Sequence, residues 1–177
     1  MGDNESRYLE AFGGWLSHLG EDAEQLSLAL TVEATPAQAR QSIAGGLNYL
    51  FKSLDLIPDG IDDIGYLDDA FVLRVAAAHA LAAQSGEPTI ARLAKEADQV
   101  RSFLGENYAR LDSYVAGLRS GAARGRTVKE ILASEKMLED FLAEVRGFAS
   151  AYQPPAFLRD PKSLIKLRAF FDAKLPK

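Results

Sequence analysis

Apolar residues recur at spacings of three and four along almost the whole chain, and no alternating run of β-branched residues reaches strand length. That period belongs to the α-helix and excludes a sheet-based core. A first helix is expected over Ser6–Leu19, with Leu9, Phe12, Leu16 and Leu19 on one side and Gly20 as its stop. A second is expected over Asp22–Glu33. Thr35-Pro36-Ala37-Gln38 then reads as a helix start, with Thr35 as cap, Pro36 at the first helical position and Gln38 reaching back. This third helix is expected to run to about Leu54, and a fourth from Leu67 to Gln84. Gly45 and Gly46 lie inside the third. Each costs about 1 kcal/mol relative to alanine in a helix interior, so both predict close approach of another backbone, with the alanines at 76–78, 80, 82 and 83 as the partner face.

Ser85-Gly86-Glu87-Pro88 marks a break and restart. Beyond it, Ile90, Leu93, Ala97, Val100, Leu104, Leu111, Tyr114 and Leu118 follow heptad spacing, with a kink expected at Gly105. Gly121–Arg126 reads as a flexible turn, Thr127-Val128-Lys129-Glu130 as a capping box, and Ile131, Leu138, Leu142 and Val145 as the buried stripe of a returning helix. Asp160-Pro161 opens a last helix, and residues 159–177 carry a charge of +4. The expected architecture is all-α, with seven or eight helices. Residues 1–87 would form an N-terminal bundle, and 88–177 a long antiparallel helical hairpin plus a final helix, the two packed as one unit.

Charge isolates one segment. The chain of 177 residues has a net charge of −5, yet residues 55–69 contain six aspartates and no base, so the remainder sums to +1. The segment runs Asp55-Leu56-Ile57-Pro58-Asp59-Gly60-Ile61-Asp62-Asp63-Ile64-Gly65-Tyr66-Leu67-Asp68-Asp69. Ile57-Pro58-Asp59-Gly60 has the residue types of a tight turn. Leu56, Ile57, Ile61, Ile64 and Leu67 are interleaved with the acids, so the segment is anchored rather than a solvated tail, and its carboxylates are held close together.

Asp55-Leu56-Ile57-Pro58-Asp59, then Ile61, then Gly65-Tyr66-Leu67-Asp68-Asp69 resembles the signature of the YkvA-like family, a bacterial domain of unknown function. Leu47, Tyr49 and Leu50 fit its lead-in helix, and the resemblance spans about residues 40–83. Asp62 departs from it, because the family usually has proline there; the substitution adds charge and removes rigidity. Many relatives carry membrane-spanning segments or short hydrophobic tails, which this sequence lacks. The resemblance implies a helix–acidic turn–helix unit in which Pro58, Gly60 and Gly65 shape the turn, and it implies no established activity.

Crowded carboxylates repel by about 1 kcal/mol per close pair even in water, so their charge must be offset. One answer is a divalent cation. Oxygen-only ligands suit Mg²⁺, Ca²⁺ or Mn²⁺, and Asp55 and Asp59, with Asp68 or Asp69, are the candidate ligands. Successive helical residues point about 100° apart, so Asp68 and Asp69 are expected not to face one ion together. The other answer is local. Asp62 and Asp63 can cap amides, Asp68 and Asp69 suit a first helical turn, and Arg74 or a base of the last helix can pair with an aspartate. The sequence favours this second answer. The preferred function is therefore a non-enzymatic interaction or scaffold module, acting on a protein partner or as a homo-oligomer, with cation binding and a phosphorylated substrate as the alternative.

Other classes are weakened. No cysteine is present, so disulfides and thiolate chemistry are excluded. His18 and His79 are the only histidines, and His79 sits on an Ala/Val-rich stretch as a packed residue. No catalytic residue is assigned. The acidic balance argues against nucleic acid. Membrane contact through the basic last helix is conceivable but not preferred. The polar N-terminus and the short apolar stretches place the chain in the cytoplasm.

Overall fold

A computed structural model describes residues 2–53, 55–83 and 85–177. Leu54 and Gln84, where the sequence places the ends of the third and fourth helices, lie outside them. The chain is all-α among the described residues: α1 (Asp3–Ser27), α2 (Ala37–Tyr49), α3 (Leu67–Ala82), α4 (Pro88–Leu104), α5 (Tyr108–Gly117), α6 (Val128–Ala133), α7 (Glu135–Ala151) and α8 (Pro161–Lys174). Short 3₁₀ turns follow α1, α4 and α5. Two-residue strands, β1 (Ala122–Ala123) and β2 (Arg126–Thr127), pair antiparallel, so the expected flexible turn is a small hairpin with Arg124 and Gly125 at positive φ.

The centre of the fold is α3. Every residue from Leu67 to Ala77 is buried, as expected of a helix apolar on all sides. It packs chiefly on α4 and α2, with α1 and α5 on its flanks. Phe71 stacks on Phe171 of α8 at 5.1 Å and meets Phe12, Trp15 and Phe103 edge-on. One core thus takes residues from both halves of the chain. The double glycine of α2 lets two neighbours close in. A Cβ at Gly46 would lie 2.6 Å from the Ala76 Cβ, and one at Gly45 3.0 Å from the Leu118 carbonyl carbon.

Several expected boundaries move. The first two expected helices are one, because α1 runs through Gly20; the glycine serves packing, with the Ala149 carbonyl oxygen 3.1 Å from where its Cβ would stand. Thr35 does not cap α2. Its hydroxyl donates to the Ala29 carbonyl at 2.8 Å, and Pro36 occupies the cap position. At its other end α2 stops at Tyr49, where tight turns over Leu50–Lys52 replace the helical bonds. In the C-terminal half, α4 lies along α3, α6 meets the 3₁₀ turn after α5, and α7 packs on α1. The returning helix is also split at Ser134, whose extended backbone ends α6 and whose hydroxyl oxygen accepts from the Met137 amide at 3.2 Å to start α7. Gly105, at φ 57°, interrupts the α4–α5 line where the sequence places a kink. No described helix is long and apolar enough to cross a membrane.

Candidate functional site

The acidic segment connects α2 to α3. Leu56, Ile57 and Ile64 are buried and pin it to the core. Its tight turn is set one residue later than expected: the Ile61 amide donates to the Pro58 carbonyl at 3.1 Å, so Asp59 and Gly60 occupy the bend. The Gly65 amide donates to the Ile61 carbonyl at 2.9 Å. Asp63 and Tyr66 adopt positive φ, which folds the segment back across the start of α3. Gly65 is the contact point. A Cβ there would stand 2.3 Å from the Asp59 carbonyl oxygen and 2.9 Å from that of Ile61. Only glycine permits this approach, and the approach sets Asp59 over the helix end.

Asp68 and Asp69, in the first turn of α3, are buried. Tyr66 holds the cap position of α3 without a side-chain bond, and the Asp69 amide favours both carboxylates only weakly against their burial. One Asp68 oxygen, Oδ2, accepts from the Tyr49 hydroxyl at 2.6 Å and from the Ile57 amide at 3.2 Å. The Tyr49 oxygen in turn accepts from the Leu56 amide at 2.7 Å. Asp68 Oδ1 and Asp69 Oδ2 are buried with no hydrogen-bond partner among the described residues.

Asp59, Asp68 and Asp69 each bring one carboxylate oxygen within 4.8 Å of the others. Asp68 and Asp69 therefore do converge, against the expectation from helical phase. At a helix start, side-chain torsions can turn two successive carboxylates toward the same loop despite the 100° between their Cβ directions. Asp55 stands outside that trio. It is half-buried, and its Oδ1 also lacks a partner.

Of the other expected partners, Arg74 faces elsewhere, while a base of the last helix, Lys166, does pair with an aspartate of the turn. Arg74 is fully buried, with Asp22 at 3.1 Å and Glu96 at 2.9 Å, and its guanidinium stacks over Trp15. Asp63 does not cap a loop amide; it accepts from the Ser163 hydroxyl at 2.7 Å and from Lys166 at 3.2 Å, both on α8. Asp62 is exposed. His79 pairs with Asp112 at 2.8 Å. Among the described residues no lysine, arginine or histidine forms an ion pair with Asp55, Asp59, Asp68 or Asp69.

The electrostatic consequence is uniform. Burial first, then the neighbouring aspartates, holds Asp69 well above the usual carboxylate range. Asp68 is pushed up to about 6 by burial, against the bonds from Tyr49 and Ile57. Burial, then Asp68 and Asp59, pushes Asp55 up to about 7, with Lys52 opposing. Burial also raises Asp59. Tyr49, Tyr66, Tyr114 and Tyr152 are all raised by burial and by these carboxylates. The tyrosines thus ring a concentration of negative charge. Sequence reasoning used Tyr49 only as a family marker and missed its bond to Asp68. Nothing local in the sequence signals Tyr114 and Tyr152, which arrive from α5 and the end of α7.

What the arrangement offers is three oxygen donors at ion-binding separation. Two come from buried carboxylates, and the third, Asp59, lies at the surface. The groove between α1 and α4, about 810 Å³, is different in kind. There the buried Asp22 and Arg74 pair with the exposed Arg92 and the partly buried Glu96, so the four charges sum to zero.

Residues 39–74 match the family described as Protein of unknown function (DUF1232). The match takes in most of α2, the acidic turn and the first half of α3, about a fifth of the chain. The helix–acidic turn–helix unit is thereby the one the sequence resembles. No curated protein and no solved structure matches the chain.

Proposed function

We propose, taking the helix–acidic turn–helix unit of this family as the premise, that the protein is a divalent-cation-binding helical module. The ion would join Asp59 of the turn to Asp68 and Asp69 of α3. One observation carries this reading: Asp68 Oδ1 and Asp69 Oδ2 are buried, have no hydrogen-bond partner among the described residues, and belong to carboxylates grouped with that of Asp59. Holding a buried carboxylate as an anion costs several kcal/mol, and no base among the described residues pairs with either of these two. A hard cation offsets both charges and supplies the missing partners at once. Asp55, outside the trio, adds negative potential beside the ion. The role is non-enzymatic: the ion fastens the turn across the end of the most buried helix. A cytoplasmic location belongs to the same proposal.

A second reading keeps the module as an interaction surface. Pro58, Asp59, Gly60 and Asp62 are exposed together on the turn, and a partner's basic side chain would meet the same negative potential.

Thermal melting of chelator-treated protein separates the two. A ligand that binds only the folded state raises stability by about 3 kcal/mol at a hundred times its Kd, which is about 5–10 °C for a chain of this size. Millimolar Mg²⁺, Mn²⁺ or Ca²⁺ is expected to raise Tm, and Asp59→Asn to abolish the shift. If none of the three ions moves Tm at millimolar concentration, the cation reading fails and the interaction reading stands.

A further inference from the structure

The bonds around Asp68 leave its two oxygens unequal. Its Oδ2 is already engaged by two donors, the Tyr49 hydroxyl at 2.6 Å and the Ile57 amide at 3.2 Å. Tyr49 cannot swing away freely, because its own oxygen accepts from the Leu56 amide at 2.7 Å and its ring packs edge-on against Tyr114 at 6.2 Å. Only Oδ1, buried and without a hydrogen-bond partner among the described residues, remains for an ion. Asp68 is thus restricted to binding through one oxygen.

Several backbone carbonyls of the turn are already engaged. The carbonyls of Pro58, Ile61, Ile64 and Tyr66 accept from the amides of Ile61, Gly65, Leu67 and Ala70. The Asp59 carbonyl is pressed against Gly65. Ca²⁺ takes about six to eight oxygens at roughly 2.3–2.6 Å, commonly with a bidentate carboxylate and backbone carbonyls. Mg²⁺ takes about six in a tight octahedron, needs few protein ligands and keeps its waters; Mn²⁺ accepts the same oxygen octahedron. Single oxygens from Asp59, Asp68 and Asp69 fill half of such an octahedron. Asp59 is exposed, so water reaches the other half.

We infer that the site selects Mg²⁺ or Mn²⁺ over Ca²⁺, and that Tyr49 sets this selectivity by holding Asp68 to a single ligating oxygen. The inference rests on the cation reading above, and the test keeps the two apart. The full chain, freed of metal, is titrated with Mn²⁺ while the resonance of free Mn²⁺ is followed by electron paramagnetic resonance. Mg²⁺ and Ca²⁺ are then added as competitors, to the wild type and to Tyr49→Phe.

In the wild type, Ca²⁺ is expected to need a concentration at least about tenfold higher than Mg²⁺ to displace half of the Mn²⁺. In Tyr49→Phe, with Asp68 Oδ2 released from the hydroxyl, that ratio is expected to fall to about threefold or less. Mn²⁺ that stays free at every protein concentration overturns the cation reading itself. Mn²⁺ that binds, but is displaced by Ca²⁺ as easily as by Mg²⁺, overturns only the selectivity. An unchanged ratio in Tyr49→Phe overturns the role of Tyr49. The wild-type competition decides the selectivity even if Tyr49→Phe does not fold.

Discussion

A carboxylate buried without a partner inverts the usual sign of a polar-to-amide substitution. Asp69→Asn keeps the shape of the side chain and removes a carboxyl whose ionisation burial, then Asp68, Asp59 and Asp55, all oppose. Metal-free Asp69→Asn is therefore expected to melt above the metal-free wild type, by about 1–3 kcal/mol or a few degrees, while losing its response to Mg²⁺. A scan with and without chelator checks both halves; a lower Tm in the metal-free variant would contradict the account of an unrelieved charge. Gly65→Ala acts the other way. Its Cβ would stand 2.3 Å from the Asp59 carbonyl oxygen, against backbone that cannot yield without moving the turn. A loss of about 1–3 kcal/mol is expected, in the range of overpacked sites, together with weaker cation binding because Asp59 is displaced. Urea titration measures the first and Mn²⁺ titration the second.

Between elements, the acidic turn has two faces with different duties. Asp59 points its function at α3, while Asp63, four residues on, ties the turn to α8 through Ser163 and Lys166. The Gly65–Ile61 bond and the Gly65–Asp59 contact lie between them, so fixing one face restrains the other. Amide exchange over α8 is expected to slow when Mg²⁺ is added, and to lose that dependence in Asp63→Ala, where the tie is gone; equal slowing in both proteins would show that the two faces are uncoupled. Much of this arrangement was legible beforehand. The three-and-four spacing marks the helices, and the interleaved Leu56, Ile57 and Ile64 mark an anchored acidic turn. What was not legible came from distant sequence. That Gly20 is a packing glycine depends on α7 crossing α1, more than a hundred residues away. That Arg74 is taken by Asp22 and Glu96 depends on the α1–α3–α4 arrangement. The convergence of Asp68 with Asp69 depends on a loop folding over a helix end, which helical phase alone does not describe.

For the whole molecule the cluster predicts an unusual dependence of stability on pH. Asp55 and Asp68 have folded pKa values of about 7 and about 6, above their ordinary value of 3.8, and Asp69 shifts the same way. The folded state thus holds protons that the unfolded state releases, so stability falls with rising pH wherever the folded chain binds more of them. The contribution of these groups is complete below about pH 4 and is lost as pH rises through about 6 and 7. Metal-free protein is expected to melt several degrees higher at pH 5 than at pH 8, the reverse of a protein whose carboxylates are paired. An ion replaces those protons, so saturating Mg²⁺ should raise Tm most at pH 8 and little at pH 5, flattening the profile. Its apparent affinity should weaken as pH falls from 8 to 5, because ion and proton compete for the same oxygens. Melting curves across that range, with chelator and with Mg²⁺, test the linkage directly. Two parallel profiles, separated by the same shift at every pH, would mean that the ion binds somewhere other than among these aspartates.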